Sequence, residues 1–157
     1  MKLVTPKVNI NYIGLDIVDS LISKNKLEHG SPTVDFRIAN ICEDVLPDCD
    51  IIMVRDCLFH LSYDDINNFL NNLARTDYRY LLTTTHKVER EFKNSNIITG
   101  GFRIIDLFSE PFNFDPKLTI DRVNDYPRGY STKREMILVE KQFVPTSLSS
   151  TKLDSQN

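Results

Sequence analysis

No two cysteines in this chain are spaced as C-x-x-C, and the three present (Cys42, Cys49, Cys57) are an odd number. An odd set closes no disulfide framework, so reduced and mostly buried thiols are expected. Histidine is equally scarce, and His29, His60 and His86 are too dispersed to read as a zinc pattern; no metal site is expected. Glycine occurs only five times in 157 residues, and nowhere as G-x-G-x-x-G, the turn that cradles a dinucleotide pyrophosphate. No apolar run approaches the roughly 18 residues needed to span a bilayer. Ahead of Thr5-Pro6 only Leu3-Val4 is apolar, which makes no signal-peptide core. A soluble, cytoplasmic protein with no membrane partner follows. Nor is there an excess of positive charge: the net charge of −3 and pI near 5.6 speak against a generally basic, nucleic-acid-binding surface. A local basic groove stays open.

What is present is a set of short apolar runs, enough for one sheet-centred core in a single domain. Residues 8–16 (VNINYIGLD) read as a strand of β-branched and aromatic residues ending on an acid. Val18, Leu21, Ile22 and Leu27 fall near helical spacing, with Gly30 as a stop. Residues 33–38 alternate as a strand. The run Ile51-Ile52-Met53-Val54 within 49–55 has no polar face, which predicts a strand covered on both sides. The link between these two strands is short for a helix.

Ser62 is an N-cap, with Asp65 three residues on in the place of the capping-box glutamate. Ile66, Phe69, Leu70 and Leu73 then form one apolar stripe at i, i+3, i+4, i+7. Residues 78–85 (YRYLLTTT) form the next strand. The order β-α-β-β-α-β predicts an α/β fold with a doubly wound, mostly parallel sheet. Residues 87–117 carry charges, Gly100-Gly101 and a Pro-Phe-Asn-Phe-Asp-Pro segment, the texture of an irregular covering region. In it Phe112 and Phe114 suit anchoring on the core. Residues 118–123 and 135–140 read as two strands joined through Pro127 and Gly129, a connection that suits an antiparallel pair. The Ser-, Thr- and Lys-rich tail over 145–157 lacks periodicity and is expected to be disordered, leaving one partial domain over 1–144.

Candidate chemistry sits at the carboxyl ends of the strands, where open α/β sheets hold ligands. Asp16 ends a strand, and its carboxylate can accept from both vicinal hydroxyls of a ribose; otherwise it complements a helix N-terminus. Asn40 can serve an adenine edge with Ile41 packed on the ring, or can stabilise a turn. In the stretch Arg55-Asp56-Cys57-Leu58-Phe59-His60, Arg55 can fork onto a carboxylate, on a ligand or on a neighbouring side chain. Asp56 can orient a substrate, and His60 can relay a proton near neutral pH. The structural alternatives are an Arg55–Asp56 ion pair and a hydrogen-bonded core histidine. His86, just past Thr83-Thr84-Thr85, suits either the same crevice or a cap.

Tyr12-Ile-Gly-Leu-Asp16-Ile-Val, Phe36-Arg-Ile-Ala-Asn40-Ile41 and Leu46-Pro-Asp-Cys-Asp-Ile-Ile-Met-Val-Arg55-Asp56-Cys-Leu-Phe-His60-Leu-Ser together resemble class I S-adenosylmethionine-dependent methyltransferases. The resemblance covers about residues 9–141. It implies a Rossmann-like sheet in the order 3-2-1-4-5-7-6 with the last strand antiparallel, and S-adenosylmethionine as cofactor. It further implies cofactor binding by Asp16, Ile17, Asn40, Ile41 and Arg55, with Asp56 and His60 serving catalysis. An aspartate is common at the position of Asn40. The implied reaction is methyl transfer to an acceptor whose class the residues do not name.

The family's first strand and glycine-rich turn have no counterpart before Val8, so the strand at 8–16 matches the family's second. A gap is therefore expected between 8–16 and 49–55, and each buried unpaired backbone group there costs roughly 1–3 kcal/mol. Three resolutions follow: a truncated chain with impaired cofactor binding, a partner chain supplying the strand, or two edges closing on each other. A non-catalytic binding or regulatory module with this fold is the alternative function. A dinucleotide-dependent oxidoreductase also suits an acid at that strand end, but not the antiparallel ending.

Overall fold

The computed structural model describes residues 10–89, 91–125 and 132–149. Two compact units make up the chain, residues 1–44 and 45–157, and the strands form two hydrogen-bonded sheets.

In the first unit, β1 (Tyr12–Asp16) and β2 (Val34–Ile38) pair in parallel, with Tyr12 opposite Val34 and Asp16 opposite Ile38. The strand expected from Val8 starts at Tyr12; Val8 and Asn9 lie outside the described residues. Gly14 lets β1 and the Phe36 ring close up, since a Cβ at residue 14 would stand 2.6 Å from Phe36 Cδ1. Between the strands runs α1 (Asp19–His29), with Asp19 in its first turn and Lys26 and His29 in its last, as the macrodipole favours. It stops at Gly30, whose N–H bonds Lys26 O. Of the expected apolar stripe only Ile22 is buried, and Leu27 is 89% exposed. A two-stranded sheet is too narrow to cover the rest. The link after β2 is a turn without a helix: the N–H groups of Glu43 and Asp44 both bond Asn40 O.

The second unit contains β3 (Cys49–Val54), α2 (Tyr63–Arg75), β4 (Tyr78–His86), β5 (Thr119–Asn124) and β6 (Arg134–Glu140). Its sheet runs β3-β4-β6-β5, with β3 and β4 parallel and β6 antiparallel to both neighbours. That order is the implied 4-5-7-6, and β1-β2 is the implied 2-3 pair. Where the first strand would come, the sheet stops: β1 and β3 are each the last strand of their own sheet. The connection through Pro127 and Gly129 lies outside the described residues.

α2 forms where its sequence predicts. Ser62 Oγ accepts the Asp65 N–H at 3.1 Å, and Asp64 and Asp65 occupy the first turn. Ile66, Phe69, Leu70 and Leu73 are all but fully buried, worth about 1.5–3 kcal/mol each. β4 is an interior strand, between β3 and β6, and its three consecutive threonines are buried yet bonded. Thr83 Oγ1 donates to Val54 O, Thr84 Oγ1 accepts the Asp56 N–H, and Thr85 Oγ1 accepts the Leu107 N–H. No hydroxyl among them is stranded, so the core tolerates a polar triplet.

Three expectations fail here. β3 is not covered on both sides: Ile51 is 52% and Met53 51% exposed, because β3 is an edge strand. Among the described residues the cysteines form no disulfide, but they are not buried; Cys49 is exposed on that edge strand, and Cys42 and Cys57 are half-buried in loops. The tail is also held in its first residues, with Leu148 N–H on Asn67 Oδ1 and Ser149 N–H on Pro111 O, both at 3.0 Å. Residues 150–157 lie outside the described residues.

The covering region between β4 and β5 is irregular as expected, and Phe112 and Phe114 anchor it in the core. Asn94 stands in for secondary structure: its Nδ2 donates to Asp106 O and Glu110 O, and its Oδ1 accepts the Asp106 N–H. Among the described residues no helix is long and apolar enough to cross a membrane.

Candidate functional site

At the carboxyl ends of β1 and β2 the first unit brings Asp16 and Asn40 onto one rim, tied by the Ala39 N–H bonded to Asp16 O at 3.0 Å. Asp16 Oδ1 accepts the Val18 N–H at 2.9 Å and fixes the turn into α1. Among the described residues its second oxygen has no hydrogen-bond partner. Ile17 beside it is largely exposed. Asn40 makes the turn: its Oδ1 accepts the Cys42 N–H at 3.0 Å, and its own N–H donates to Asp44 Oδ2 at 2.7 Å. Ile41 next to it is half-buried.

The second unit gathers Arg55, Asp56 and His60 beyond the ends of β3 and β4. Arg55 is fully engaged, its Nε and Nη2 donating to the two oxygens of Asp125 at 2.7 and 3.0 Å. That pairing raises the guanidinium pKa further. Of the two roles open to Arg55, the fork onto a neighbouring side chain is the one formed. It binds the end of β3 to the end of β5, and its carboxylate partner lies 70 residues away.

Asp56 does not pair with Arg55. Its carboxylate meets Arg134 Nη2 at 3.2 Å, and its N–H donates to Thr84 Oγ1 at 2.9 Å. The backbone there is left-handed, φ 54°, a conformation that aspartate tolerates better than most residues. Arg134 in turn donates from Nε to Asp125 O. Two ion pairs, Arg55–Asp125 and Arg134–Asp56, are thus joined across the strand tips through the Asp125 carbonyl. Asp125, Arg134 and Thr84 were not picked out from sequence; each acquires its role only through pairing between strands.

His60 lies at the end of the short 3-10 turn Leu58–His60. Its Nδ1 is 2.6 Å from Gly101 O, and a carbonyl only accepts, so Nδ1 carries the proton. The neutral ring then keeps its lone pair on Nε2, the arrangement a general base requires. The Phe59 and Phe102 rings pack about it, each tilted by 54°, at 4.5 and 5.8 Å between centroids.

His86 is buried at the end of β4, and its Nδ1 accepts the Ile105 N–H at 3.2 Å. Burial holds its pKa below the usual 6.5. Nδ1 is the acceptor here and the donor in His60, so the two rings are in opposite tautomers. His86 pins the covering region to the sheet, a role different from the cap that was one of its two expected options.

A cavity of about 560 Å³ opens at the other end of β4, lined by Leu70, Leu73, Tyr78, Lys141 and Val144. Lys141 Nζ already donates to Thr76 O there. Arg79 and Glu140 also line it, and β4 runs nine residues from this end to His86. The cavity is not where the chemistry of the strand tips lies.

No family model matches the sequence, and no curated protein matches it either. Solved structures do match. Human N-acetylserotonin methyltransferase in complex with S-adenosylmethionine aligns at TM-score 0.55 and 10% identity, over 82% of this chain and 40% of that one. PigF with S-adenosylhomocysteine aligns at 0.57 and 12%, over 83% and 43%. The [4+2]-cyclase SpnF aligns at 0.57 and 12%, over 82% and 66%. The chain has a class I methyltransferase-like fold. It spans from 40% to 66% of the lengths of these three proteins. Open α/β sheets in general bind ligands beyond the carboxyl ends of their strands. The cyclase in this set illustrates that one fold carries more than one chemistry.

Proposed function

We propose that this chain takes part in methyl transfer from S-adenosylmethionine to a nucleophilic acceptor. The observation that carries the reading is the likeness of fold, at TM-scores of 0.55 and 0.57, to methyltransferase structures solved with that cofactor or its product.

The residues present fit the adenosine end of the cofactor. The uncommitted oxygen of Asp16 suits a ribose hydroxyl, the Asn40 amide an adenine edge, and Ile17 and Ile41 the faces of the ring. Among the described residues none is placed to hold the methionine end, and Arg55 is taken by Asp125. When bound, the cofactor supplies a methyl group on a sulfonium, which needs no further activation.

The chain's own task is then to position the acceptor and remove its proton. His60 Nε2 takes that proton, and the bond from Nδ1 to Gly101 O steadies the imidazolium that results. Asp56, held by Arg134 and Thr84, acts by orientation, because its carboxylate is already engaged in an ion pair.

Calorimetric titration with S-adenosylhomocysteine tests the reading. Saturable binding is expected, weakened at least about tenfold in Asp16→Ala by the loss of a charge-assisted hydrogen bond. No comparable binding of NAD is expected. An unchanged affinity in Asp16→Ala removes Asp16 from the site, and preferential binding of NAD points to oxidoreductase chemistry instead. With binding in hand, His60→Gln should lower methyl transfer about 10²- to 10⁴-fold while leaving S-adenosylhomocysteine affinity in place.

A further inference from the structure

The chain answers most of its buried charges. Glu135 meets Lys87 and Arg122, Asp106 takes the Phe108 N–H and the Ser109 hydroxyl, and His86 takes the Ile105 N–H. Arg103 is the exception among the described residues. It is 5% exposed, and its Nε, Nη1 and Nη2 have no hydrogen-bond partner. The Tyr63 hydroxyl is in the same condition. The two side chains lie together, with the Arg103 guanidinium 5.0 Å from the centre of the Tyr63 ring. A cation–π contact offsets part of the desolvation of the charge but leaves every N–H unanswered.

Their surroundings are built, not incidental. Residues 96–103 form a strap over the entrance of α2. Asn96 Oδ1 accepts the Tyr63 N–H, Thr99 Oγ1 accepts the Ser62 N–H, and the Arg103 N–H donates to Phe59 O. The same strap supplies Gly101 O to His60, and Phe102 to the ring cluster beside it. Gly100, at φ 96°, turns the strap where a side chain would be strained. On the other side the Phe112 ring stands edge-on to Tyr63 at 5.6 Å.

Both groups are donors across the physiological range. Burial lowers the Arg103 pKa, but a guanidinium starts so high that it stays charged. Burial raises the Tyr63 pKa, so the phenol keeps its proton. A planar fork of N–H groups with one O–H beside it matches two coplanar oxygens. The aromatic walls favour a singly charged anion over a phosphate dianion, which costs more to desolvate.

We propose that Arg103 and Tyr63 form a buried receptor for a small-molecule carboxylate, and that the methyl acceptor bears that carboxylate. The second half rests on the methyl-transfer reading; the receptor itself does not. The strap lifts to admit the anion and closes over it, which places the rest of the ligand by the strap that also steadies His60.

The test titrates the full chain with benzoate, benzamide and inorganic phosphate at matched ionic strength, following thermal stability and the Arg103 Nε–H resonance. Benzoate should stabilise saturably and move that resonance downfield, and benzamide should do neither. Arg103→Met should weaken benzoate binding roughly ten- to hundredfold, and Tyr63→Phe by about two- to tenfold. Arg103→Lys keeps the charge without the fork, and should also bind more weakly. No response to benzoate, together with a more stable Arg103→Met chain, means that water or packing suffices and overturns the receptor. A response to phosphate alone overturns the carboxylate assignment. Retained S-adenosylhomocysteine binding in Arg103→Met supports the acceptor as the source of the carboxylate; its loss gives the receptor to the cofactor and overturns that half. Benzoate binding without any S-adenosylhomocysteine binding by the unsubstituted chain sustains the receptor and sinks methyl transfer.

Discussion

His60 and His86 share a ring neighbour, Phe59, yet their nitrogens face opposite duties. A carbonyl beside Nδ1 makes His60 a donor at that atom, and an N–H beside Nδ1 makes His86 an acceptor. Protonating His86 therefore forces a donor against the Ile105 N–H inside an apolar cluster. Its folded pKa lies below the unfolded value near 6.5, burial being the main cause. The unfolded chain then binds a proton that the folded chain refuses, so stability falls as pH drops through 6.5 toward the folded pKa. Urea denaturation between pH 7.5 and 5 should show this decline. His86→Asn, which keeps an acceptor in place of Nδ1, should flatten it. A slope unchanged by that substitution assigns the decline to other groups.

Single elements differ in how much of their character could be read beforehand. α2 was legible throughout, because an N-cap and a 3.6-residue apolar period both report on one helix and its one buried face. Phe69→Ala there should cost about 3–5 kcal/mol in urea denaturation, the usual toll of emptying a fully buried aromatic site. β3 was legible as a strand but not in its setting. An unbroken apolar run says that neither face is polar, and cannot say whether a neighbour arrives to cover it. Its exposed Ile51 and Met53 make a bare edge. Ile51→Lys should leave stability within about 0.5 kcal/mol and reduce concentration-dependent self-association, as light scattering can follow. At the candidate site the same limit applies. Asp16 and Asn40 were read as candidates from their place after strands, and His60 from the stretch that follows β3. Asp125 and Arg134, which engage Arg55 and Asp56, did not, since only the pairing of β5 with β6 and of β6 with β4 brings them there.

At the scale of the molecule the two units are unequal. The first rests on two strands and a helix with one buried residue, Ile22. The second has a four-stranded sheet, a fully amphipathic helix and a covering region anchored by Phe112 and Phe114. Amide hydrogen exchange should accordingly separate them, with β1 and β2 opening at clearly lower free energy than β4 and β6. Equal protection across both sheets contradicts this ranking. The order of strands within each sheet was foreseen from resemblance, and the division into two sheets from the absence of a counterpart to one strand.

The sheet of the second unit is not assembled in the order in which it is synthesised. β6 emerges after β5 but fits between β5 and β4, so β5 has no partner until the last strand has left the ribosome. During that interval the growing polypeptide displays the unsatisfied flanks of β4 and β5 together, at the stage when nascent chains are prone to mispair. A chaperone that shields extended segments would act on this protein late in translation, and slower decoding beyond residue 118 would lengthen the exposure.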